Sequence, residues 1–256
     1  MSELGLSFGR IAPEYDAARP EYAAEALVRA QAVLGLGPEA RVLDLAAGSG
    51  TLTRALTERF REVVAVEPDD EMRAVLAQRS PGVEARGGSA ERIPLPDGCA
   101  DAVFVGDAFH WFDGPAAVAE IARVLRPRGG VALLWNNWWS DGADGTTDSL
   151  EPPLPGAARA RLDDVYVRSG RAAARAEKAD PLEAFAEAPF DPLVRETFTR
   201  TRRLTATEVV DLYTTVSSVA SLPATERDEL RREVLPLLAD AYRLEISTVL
   251  LWTRRG

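Results

Sequence analysis

Short apolar runs alternate with longer helix-like patterns through the first half of the chain. After the run "RVLDL" at 41–45, the positions Leu52, Leu56 and Phe60 fall on one face of a predicted helix. Four further strand-like runs follow, reading "EVVAVE", "VEARGG", "ADAVFVGD" and "VALLWN". Five strands separated by helices predict a parallel, doubly wound sheet, and right-handed crossovers place all the strand carboxyl ends along one edge.

The helix before the fifth strand is predicted to span 115–125 and to stop at "RPRGG". After Asn136 the alternation ceases for about sixty residues, a length that is uncommon for a plain connection. The segment 137–194 is therefore predicted as an insertion with a flexible first part. Its later part, from about 155 to 188, is expected to form two or three helices that cap the sheet edge.

The regular pattern returns in the last quarter of the chain. The run at 194–205 alternates like a strand, and Thr205 and Glu208 have the spacing of a capping box at a helix start. Another helix is expected after Thr225, and the run at 242–252 is expected to form the last strand.

Composition and charge narrow the possible partners. The 256 residues include 46% hydrophobic residues, and 30 Lys and Arg against 40 Asp and Glu give a formal net charge of -10. No basic face for a phosphate backbone is evident, so nucleic acid is not expected as a partner. One cysteine and one histidine make no zinc-type cluster, and no signal peptide or bilayer-spanning run is evident. A cytoplasmic monomer or homodimer without a metal is expected.

An acid and two glycines mark the end of the first strand. Asp44 is followed by Gly48 and Gly50 in a turn that leads to a helix, and the second strand ends in Glu67. Backbone amides of such a turn can approach a ligand closely, and the second acid can accept both hydroxyls of a ribose. The order differs from the dinucleotide pattern G-x-G-x-x-G, and Asp44 would repel a pyrophosphate while suiting the ammonium of a methionine moiety. An adenosine-containing cofactor fits both features.

These motifs together resemble the class I S-adenosylmethionine-dependent methyltransferases, and more closely their trans-aconitate methyltransferase-like branch. The resemblance covers roughly residues 8–136 and 195–256. Its motifs are "FGRIAPEYDAARPEY", "LDLAAGSGTLT", "VVAVEPDDEM", "GSAERIPLPDGCADAV", "FHWF" and "IARVLRPRGGVALLW". Two positions depart from the family pattern: Ala46 replaces the first glycine of G-x-G-x-G, and Asp107 stands where this branch often has a polar amide.

The resemblance implies a domain plan and a cofactor. It implies a seven-stranded Rossmann-like methyltransferase sheet, α/β and mostly parallel, with the last strand antiparallel. Residues 1–136 and 195–256 would form the S-adenosylmethionine-binding core, with the segment 1–40 over the cofactor and 137–194 as the substrate insertion. S-adenosylmethionine would be the cofactor and S-adenosylhomocysteine the product. The implied cofactor-binding residues are Tyr15, Arg19, Asp44, Ala46, Gly48, Gly50, Glu67, Pro68, Met72, Ser89, Ala90, Glu91 and Gly106.

The expected activity is direct methyl transfer to a small organic molecule in an enclosed pocket. A sulfonium needs only an aligned acceptor and the exclusion of water, so neither a catalytic triad nor a metal is required. The expected substrate pocket comprises Tyr22, Phe109, His110, Trp111, Asn136, Trp138 and Trp139. A carboxylate acceptor, which the resemblance suggests, needs no base, whereas a phenol or alcohol would need one. His110 is expected to position the acceptor by a hydrogen bond beside Trp111, with a role as general base as the alternative. Asp107, Tyr15 and Tyr22 are the other nearby candidates for the base.

The two departures keep an alternative open. A protein of this fold could bind the cofactor but perform another reaction, or only sense it, because fold does not fix function. The methyl group of Ala46 is compatible with cofactor binding if the local φ is negative. An NAD-dependent oxidoreductase is disfavoured by the missing glycine spacing.

Overall fold

A computed structural model of the chain describes residues 9–137, 154–168 and 179–256, and these contain one seven-stranded sheet. The strand order is β3-β2-β1-β4-β5-β7-β6, and β7 alone runs antiparallel to its neighbours. The predicted fold class is confirmed. The strands are β1 (Arg41–Leu45), β2 (Glu62–Val66), β3 (Glu84–Arg86), β4 (Ala100–Gly106), β5 (Leu125–Asn137), β6 (Val194–Thr205) and β7 (Ala241–Arg254).

Helices cover both faces of the sheet. Thr205 caps one of them in a complete capping box with Glu208, as expected, and Asp69 caps another. Short 3-10 turns lie at Gly9–Ile11, Phe109–Trp111 and Leu235–Leu237. The helices are α1 (Ala12–Ala18), α2 (Ala24–Val33), α3 (Thr51–Thr57), α4 (Asp70–Arg79), α5 (Gly114–Val124), α6 (Gly156–Arg168), α7 (Pro181–Phe185), α8 (Ala206–Thr214), α9 (Ser217–Ala220) and α10 (Ala224–Val234).

The side chains of each central strand divide between two apolar layers. Leu43 and Leu45 of β1 pack in the layer that contains α5, whereas Val42 packs in the layer that contains α2 and α3. Asp44 follows the alternation of Val42, so its carboxylate points towards α3. Because β1 pairs in parallel with β2 and β4, Asp44 lies beside Ala65 and Phe104, at the carboxyl edge of the sheet.

The fifth strand begins earlier than the sequence indicated. β5 starts at Leu125, which pairs with Ala100, although "RPRGG" was expected to be a turn. The register shifts between Ala100 and Ala102, and Arg128 adopts a φ of 64°. The first residues of β5 are therefore irregular, and β5 pairs with β4 on both sides of a bulge. The glycines of this segment suit a turn as well as a bulge, so the sequence alone does not distinguish the two.

The described parts of the insertion lie in two places. In α6, Ala158, Leu162 and Val165 join an apolar cluster with α8, α10 and the distal ends of β6 and β7. In α7, Phe185 packs in the main core, with its ring centroid 5.8 Å from that of Phe109. This second part flanks the sheet beside α5. The predicted cap over the sheet edge and the boundaries 137–194 stay predictions, because 138–153 and 169–178 lie outside the described residues.

A buried hydrogen-bond chain fastens the N-terminal segment to the sheet. The Ala23 N–H donates to Thr248 Oγ1 at 2.9 Å, and that hydroxyl donates to Asn136 Oδ1 at 2.6 Å. The Asn136 amide nitrogen donates to the carbonyls of Pro20 and Glu21 at 2.9 and 3.0 Å. Strands β5 and β7 thus hold residues 20–23 in place. Among the described residues, no helix is long and apolar enough to cross a membrane.

We expect Thr248→Val to lower the free energy of unfolding by about 1–3 kcal/mol, because the near-isosteric valine leaves the Ala23 N–H and Asn136 Oδ1 buried without partners. Urea denaturation measures the change. The matched control is Thr197→Val, at an exposed position of β6, which should stay within about 0.5 kcal/mol of the wild type. Equal stability of the two variants would contradict the structural role of this chain.

Candidate functional site

A cavity lies at the carboxyl edge of the sheet, beneath the segment that joins α1 to α2. It brings together residues from the N-terminal segment, the turns after β1 and β4, and the end of β2. The sequence-predicted residues that line it are Tyr15, Arg19, Tyr22, Asp44, Ala46, Gly48, Glu67, Met72, Gly106, Asp107 and Trp111. Lining residues that the sequence reasoning missed are Pro20, Ala47, Ser49, Thr51, Leu52 and Ala108.

The turn after β1 contains three residues with positive φ. Gly48 has a φ of 57°, and a Cβ added there would meet nothing within 4 Å, so this glycine presents open backbone to the cavity. Gly50 has a φ of 91°, but a Cβ there would lie 3.0 Å from Leu76 Cγ in α4. Gly50 therefore serves the packing of α4 and the start of α3, and it does not line the cavity.

Ala46 also has a positive φ, of 57°, so the negative φ that would make its methyl group compatible with the cofactor is not found. The turn keeps the backbone path of a glycine although an alanine occupies it. For an L-residue this left-handed conformation costs about 1–2 kcal/mol. The methyl group packs against the α5-side core, so the strain is held by the surrounding structure.

Asp44 is buried, and only one of its two carboxylate oxygens has a hydrogen-bond partner among the described residues. Thr53 Oγ1 of α3 donates to Asp44 Oδ2 at 2.5 Å, whereas Asp44 Oδ1 is buried and has no partner within the described ranges. Burial raises the pKa of Asp44 to about 7; the hydrogen bond from Thr53 opposes the shift, and the charge of Glu67 adds to it. A cationic or donor ligand would satisfy Oδ1 and favour the ionised form.

Glu67 joins the ends of β1 and β2. The Gly48 N–H donates to its Oε2 at 2.8 Å, and the Asp69 N–H donates to its Oε1 at 2.9 Å. Burial raises the pKa of Glu67 to about 7, although both hydrogen bonds lower it. The carboxylate therefore has a fixed orientation beside the glycine turn, and each oxygen keeps a second lone pair for a ligand.

The N-terminal helix is held against the glycine turn by charge. Asp16, whose side chain is 4% exposed, forms ion pairs with Arg54 of α3 at 2.9 Å and with Arg79 of α4 at 3.0 Å. Arg54 also donates to the Ser49 carbonyl at 3.3 Å. On the cavity side of the segment, the Arg19 guanidinium lies 4.7 Å from the centroid of the Tyr15 ring. These contacts close one side of the cavity.

The turn after β4 places Asp107 against Tyr22. Asp107 Oδ2 accepts from the Tyr22 hydroxyl at 2.9 Å, and its Oδ1 accepts from the Asn136 N–H at 3.1 Å. A Cβ on Gly106 would lie 2.5 Å from the Tyr22 hydroxyl oxygen, so only glycine allows this approach. Burial raises the pKa of both Asp107 and Tyr22.

Several predicted site residues lie outside the cavity. Phe109 was expected in the substrate pocket, but it is fully buried against Phe112 and Phe185 in the core. The side chain of Asn136 is committed to the buried hydrogen-bond chain. His110 does not line the cavity; its Nδ1 accepts from Trp135 Nε1 at 3.4 Å. Also outside the lining are Gly50, Pro68, Ser89, Ala90 and Glu91, and Trp138 and Trp139 lie outside the described residues.

The missed residues carry a weak sequence signal. Ser49 Oγ and Thr51 Oγ1 are buried without hydrogen-bond partners within the described residues, and both belong to the turn around Gly50. Thr53 orients Asp44 from one helical turn further on. Hydroxyls interleaved with glycines at a helix start could have indicated this polar lining. In the described part of the chain, no cluster of His, Cys, Asp and Glu could hold a metal ion.

Comparison with known proteins shows one consistent similarity. Residues 43–133 match the family described as Methyltransferase domain. An uncharacterized methyltransferase of Schizosaccharomyces pombe is 31% identical over 232 residues, which are 90% of this chain and 86% of that protein. An uncharacterized methyltransferase of Mycobacterium tuberculosis is 47% identical over 136 residues, which are 52% of this chain and only 54% of that protein. The chain thus spans about half the length of the mycobacterial relative.

A solved structure supports the fold. A SAM-dependent methyltransferase of Thermotoga maritima superposes with a TM-score of 0.53, over 99% of this chain and 100% of that chain. The sequence identity in that pair is 17%, so the match concerns the fold alone.

We expect Asp44→Asn to stabilise the ligand-free protein at pH 8 by about 1–3 kcal/mol, because asparagine removes a buried ionised group and still accepts from Thr53. A carboxyl whose folded pKa is raised from 3.8 to about 7 lowers stability progressively as pH rises through that window. The gain should therefore shrink towards pH 5, where Asp44 is protonated. Urea denaturation at both pH values measures the gain. Asp228→Asn, at an exposed position of α10, is the control and should show no such gain. A gain that is the same at both pH values would contradict the assignment.

Proposed function

The chain belongs to the class I methyltransferases, and we propose that it transfers the methyl group of S-adenosylmethionine directly to a small organic molecule in the enclosed cavity. The observation that carries the proposal is the buried, unpartnered Asp44 Oδ1 beside the open backbone face of Gly48. A ligand with a cationic group would donate to Asp44 Oδ1 and would have room to lie against the backbone of Gly48.

The residues present fit this cofactor. Asp44 would accept from the ammonium, and Glu67 would accept from the ribose hydroxyls with its remaining lone pairs. Arg19 is the cation of the lining and would hold the carboxylate of the methionine moiety. Met72 would supply apolar contact on the α4 side. The predicted contacts of Ser89, Ala90 and Glu91 with adenine stay predictions.

When bound, the cofactor supplies an electrophilic methyl group on a sulfonium, so the protein has no covalent chemistry to perform. The chain's own contribution is to position the acceptor and to exclude water. The α1 segment covers the cavity, and Tyr22, Asp107 and Trp111 face it from the side opposite the glycine turn. We place the acceptor among these three residues.

A small acceptor in the cytoplasm fits the charge and the architecture. The formal net charge of -10 disfavours nucleic acid as the acceptor, and residues of the N-terminal segment cover part of the cavity, which favours a small molecule. The insertion 137–194 would add further substrate contacts. The ring of His110 lies outside the cavity lining, but its centroid is 4.7 Å from that of Trp111, which lines the cavity, so His110 would act on the acceptor through Trp111.

The alternative is a cofactor-binding protein with another reaction or a sensing role. The left-handed Ala46 and Asp107, with φ of 57° and 50°, favour it, because strained non-glycine residues at a ligand site mark a local departure from the family's usual chemistry. Such a protein would bind the cofactor and return it unchanged. Demethylated cofactor formed in the presence of an acceptor would exclude it.

We expect isothermal titration calorimetry to show binding of S-adenosylmethionine and S-adenosylhomocysteine but not of NAD. Glu67→Gln should weaken binding of both by about 10-fold or more, because the amide nitrogen replaces one charged acceptor of the ribose. Glu62→Gln, at the exposed opposite end of β2, is the matched control and should bind like the wild type. Unchanged affinity in Glu67→Gln would refute the ribose assignment, and binding of NAD alone would refute the proposed function.

We also expect Asp16→Asn to speed release of S-adenosylhomocysteine at least several-fold, because α1 loses both ion pairs that hold it to α3 and α4. Stopped-flow fluorescence, with Trp111 at the cavity as the reporter, measures the dissociation rate. The control is Glu14→Gln, on the exposed face of α1. A release rate equal to that of the wild type would show that these ion pairs do not keep the cavity closed.

A further inference from the structure

Asp107 occupies a constrained position at the acceptor side of the cavity. Its φ is 50°, its N–H donates to the Leu134 carbonyl at 2.8 Å, and its two carboxylate oxygens accept from Tyr22 and from the Asn136 N–H. Tyr22 is itself placed by the buried Asn136 and Thr248 side chains. The carboxylate is thus fixed in direction by groups from two separate parts of the chain, the N-terminal segment and β5, and it lines the cavity.

The surroundings of Asp107 and Tyr22 determine which of the two can accept a proton. The charged and titratable groups that face it are Arg19, Tyr15 and Tyr22, and Asp44 faces Tyr22 in turn. Burial, then the charge of Asp107, raises the pKa of Tyr22 well above 10, so this hydroxyl stays protonated and acts as a donor. Asp107 is therefore the proton acceptor of the pair, and each of its oxygens keeps a second lone-pair direction.

The charge of Asp107 also bears on the acceptor. A carboxylate acceptor needs no base, and an ionised Asp107 beside it would repel it. A neutral hydroxyl acceptor is not repelled, because it can donate a hydrogen bond to the Asp107 carboxylate. It must also lose its proton during methyl transfer, so it needs a base. A polar amide at this position would neither repel a carboxylate acceptor nor take up a proton.

Resting on the proposed methyl transfer, we infer that Asp107 is a catalytic residue that accepts the proton of an alcohol or phenol acceptor, with Tyr22 as its positioning residue. The acceptor oxygen forms the new bond to the methyl carbon while the carbon–sulfur bond breaks, and that electron pair stays on sulfur. The proton of the acceptor hydroxyl passes to the Asp107 carboxylate and leaves to solvent after the product departs. The acceptor class is a neutral hydroxyl compound and not a carboxylate.

A binding experiment tests the placement without turnover. 4-Nitrophenol is titrated into the complex with S-adenosylhomocysteine, and its absorbance reports whether the bound phenol is ionised. The wild type should favour the neutral phenol, because the phenolate would lie beside a negative charge, whereas Asp107→Asn should increase the phenolate fraction at the same pH. Asparagine tolerates a left-handed φ, so the turn should keep its shape. Identical spectra in the two proteins would overturn the inference.

Turnover tests the proton transfer itself. Wild type and variants are assayed for S-adenosylhomocysteine formation with matched pairs of acceptors: 4-nitrophenol and 4-nitrobenzoate, phenol and benzoate, hexanol and hexanoate. We expect the wild type to favour the hydroxyl member, with a rate that falls as pH drops through the raised pKa of Asp107. Asp107→Asn should lose about 10²- to 10⁴-fold on phenol and hexanol and lose this pH dependence, whereas 4-nitrophenol, which the variant binds partly as the phenolate, should lose less. Tyr22→Phe should shift the pH profile. Asp101→Asn is the control and should behave like the wild type.

The outcomes separate the two proposals. Methylation of carboxylates in preference to hydroxyls, or full hydroxyl turnover by Asp107→Asn, would overturn the role of Asp107 and leave the methyltransferase function standing. Binding of S-adenosylmethionine without turnover of any hydroxyl acceptor by the wild type would also count against the inference. Absence of cofactor binding would instead refute the proposed function.

Discussion

The buried hydrogen bond between Thr248 and Asn136 holds together the part of the molecule on which the site depends. It joins adjacent strands β5 and β7, and through Pro20, Glu21 and Ala23 it fixes the N-terminal segment to them. Each donor and acceptor of this hydrogen-bond chain has a partner within it, which is the condition under which buried polar groups stabilise a fold. Its loss would remove the buried polar contacts that hold residues 20–23 on β5 and β7. The position of Tyr22 relative to Asp107 would then depend on their own hydrogen bond.

The site combines two unfavourable local features with a well-packed scaffold. The buried carboxylates of Asp44 and Glu67 and the left-handed Ala46 all cost folding free energy, and they lie together where β1 and β2 end. Sites that bind charged ligands commonly carry such costs, since the ligand supplies the missing partner. The central strands β1, β4 and β5, whose core residues are almost fully buried, offset them.

The sequence predicted the sheet and the meeting of Asp44, Gly48 and Glu67 at its edge, because both follow local rules. Asp44 and Gly48 lie at the end of β1, and Glu67 lies at the end of β2. Because these strands are parallel neighbours, the three residues meet at one edge of the sheet. The acceptor side depends on contacts that span 85 to 225 residues of sequence, such as those of Tyr22 with Asp107 and of Ala23 with Thr248. Periodicity carries no information on such pairs. In "FHWF" the 3-10 turn sends Phe109 into the core and Trp111 to the cavity, a division that a run of four aromatics does not show.

The strand order determines when the N-terminal segment can attach to the sheet during synthesis of the protein. The N-terminal segment leaves the ribosome first, yet its acceptor at Thr248 belongs to β7, which enters the sheet between β5 and β6. The hydrogen bond from Ala23 to Thr248 can therefore form only after β7 has been made, whereas Asp16 can pair with Arg54 and Arg79 once α3 and α4 are in place. Until then the edge of β5 that later pairs with β7 is open, and the apolar face of α2 lacks its contact with Leu250. The glycine-turn side of the cavity can thus form before the Tyr22 side.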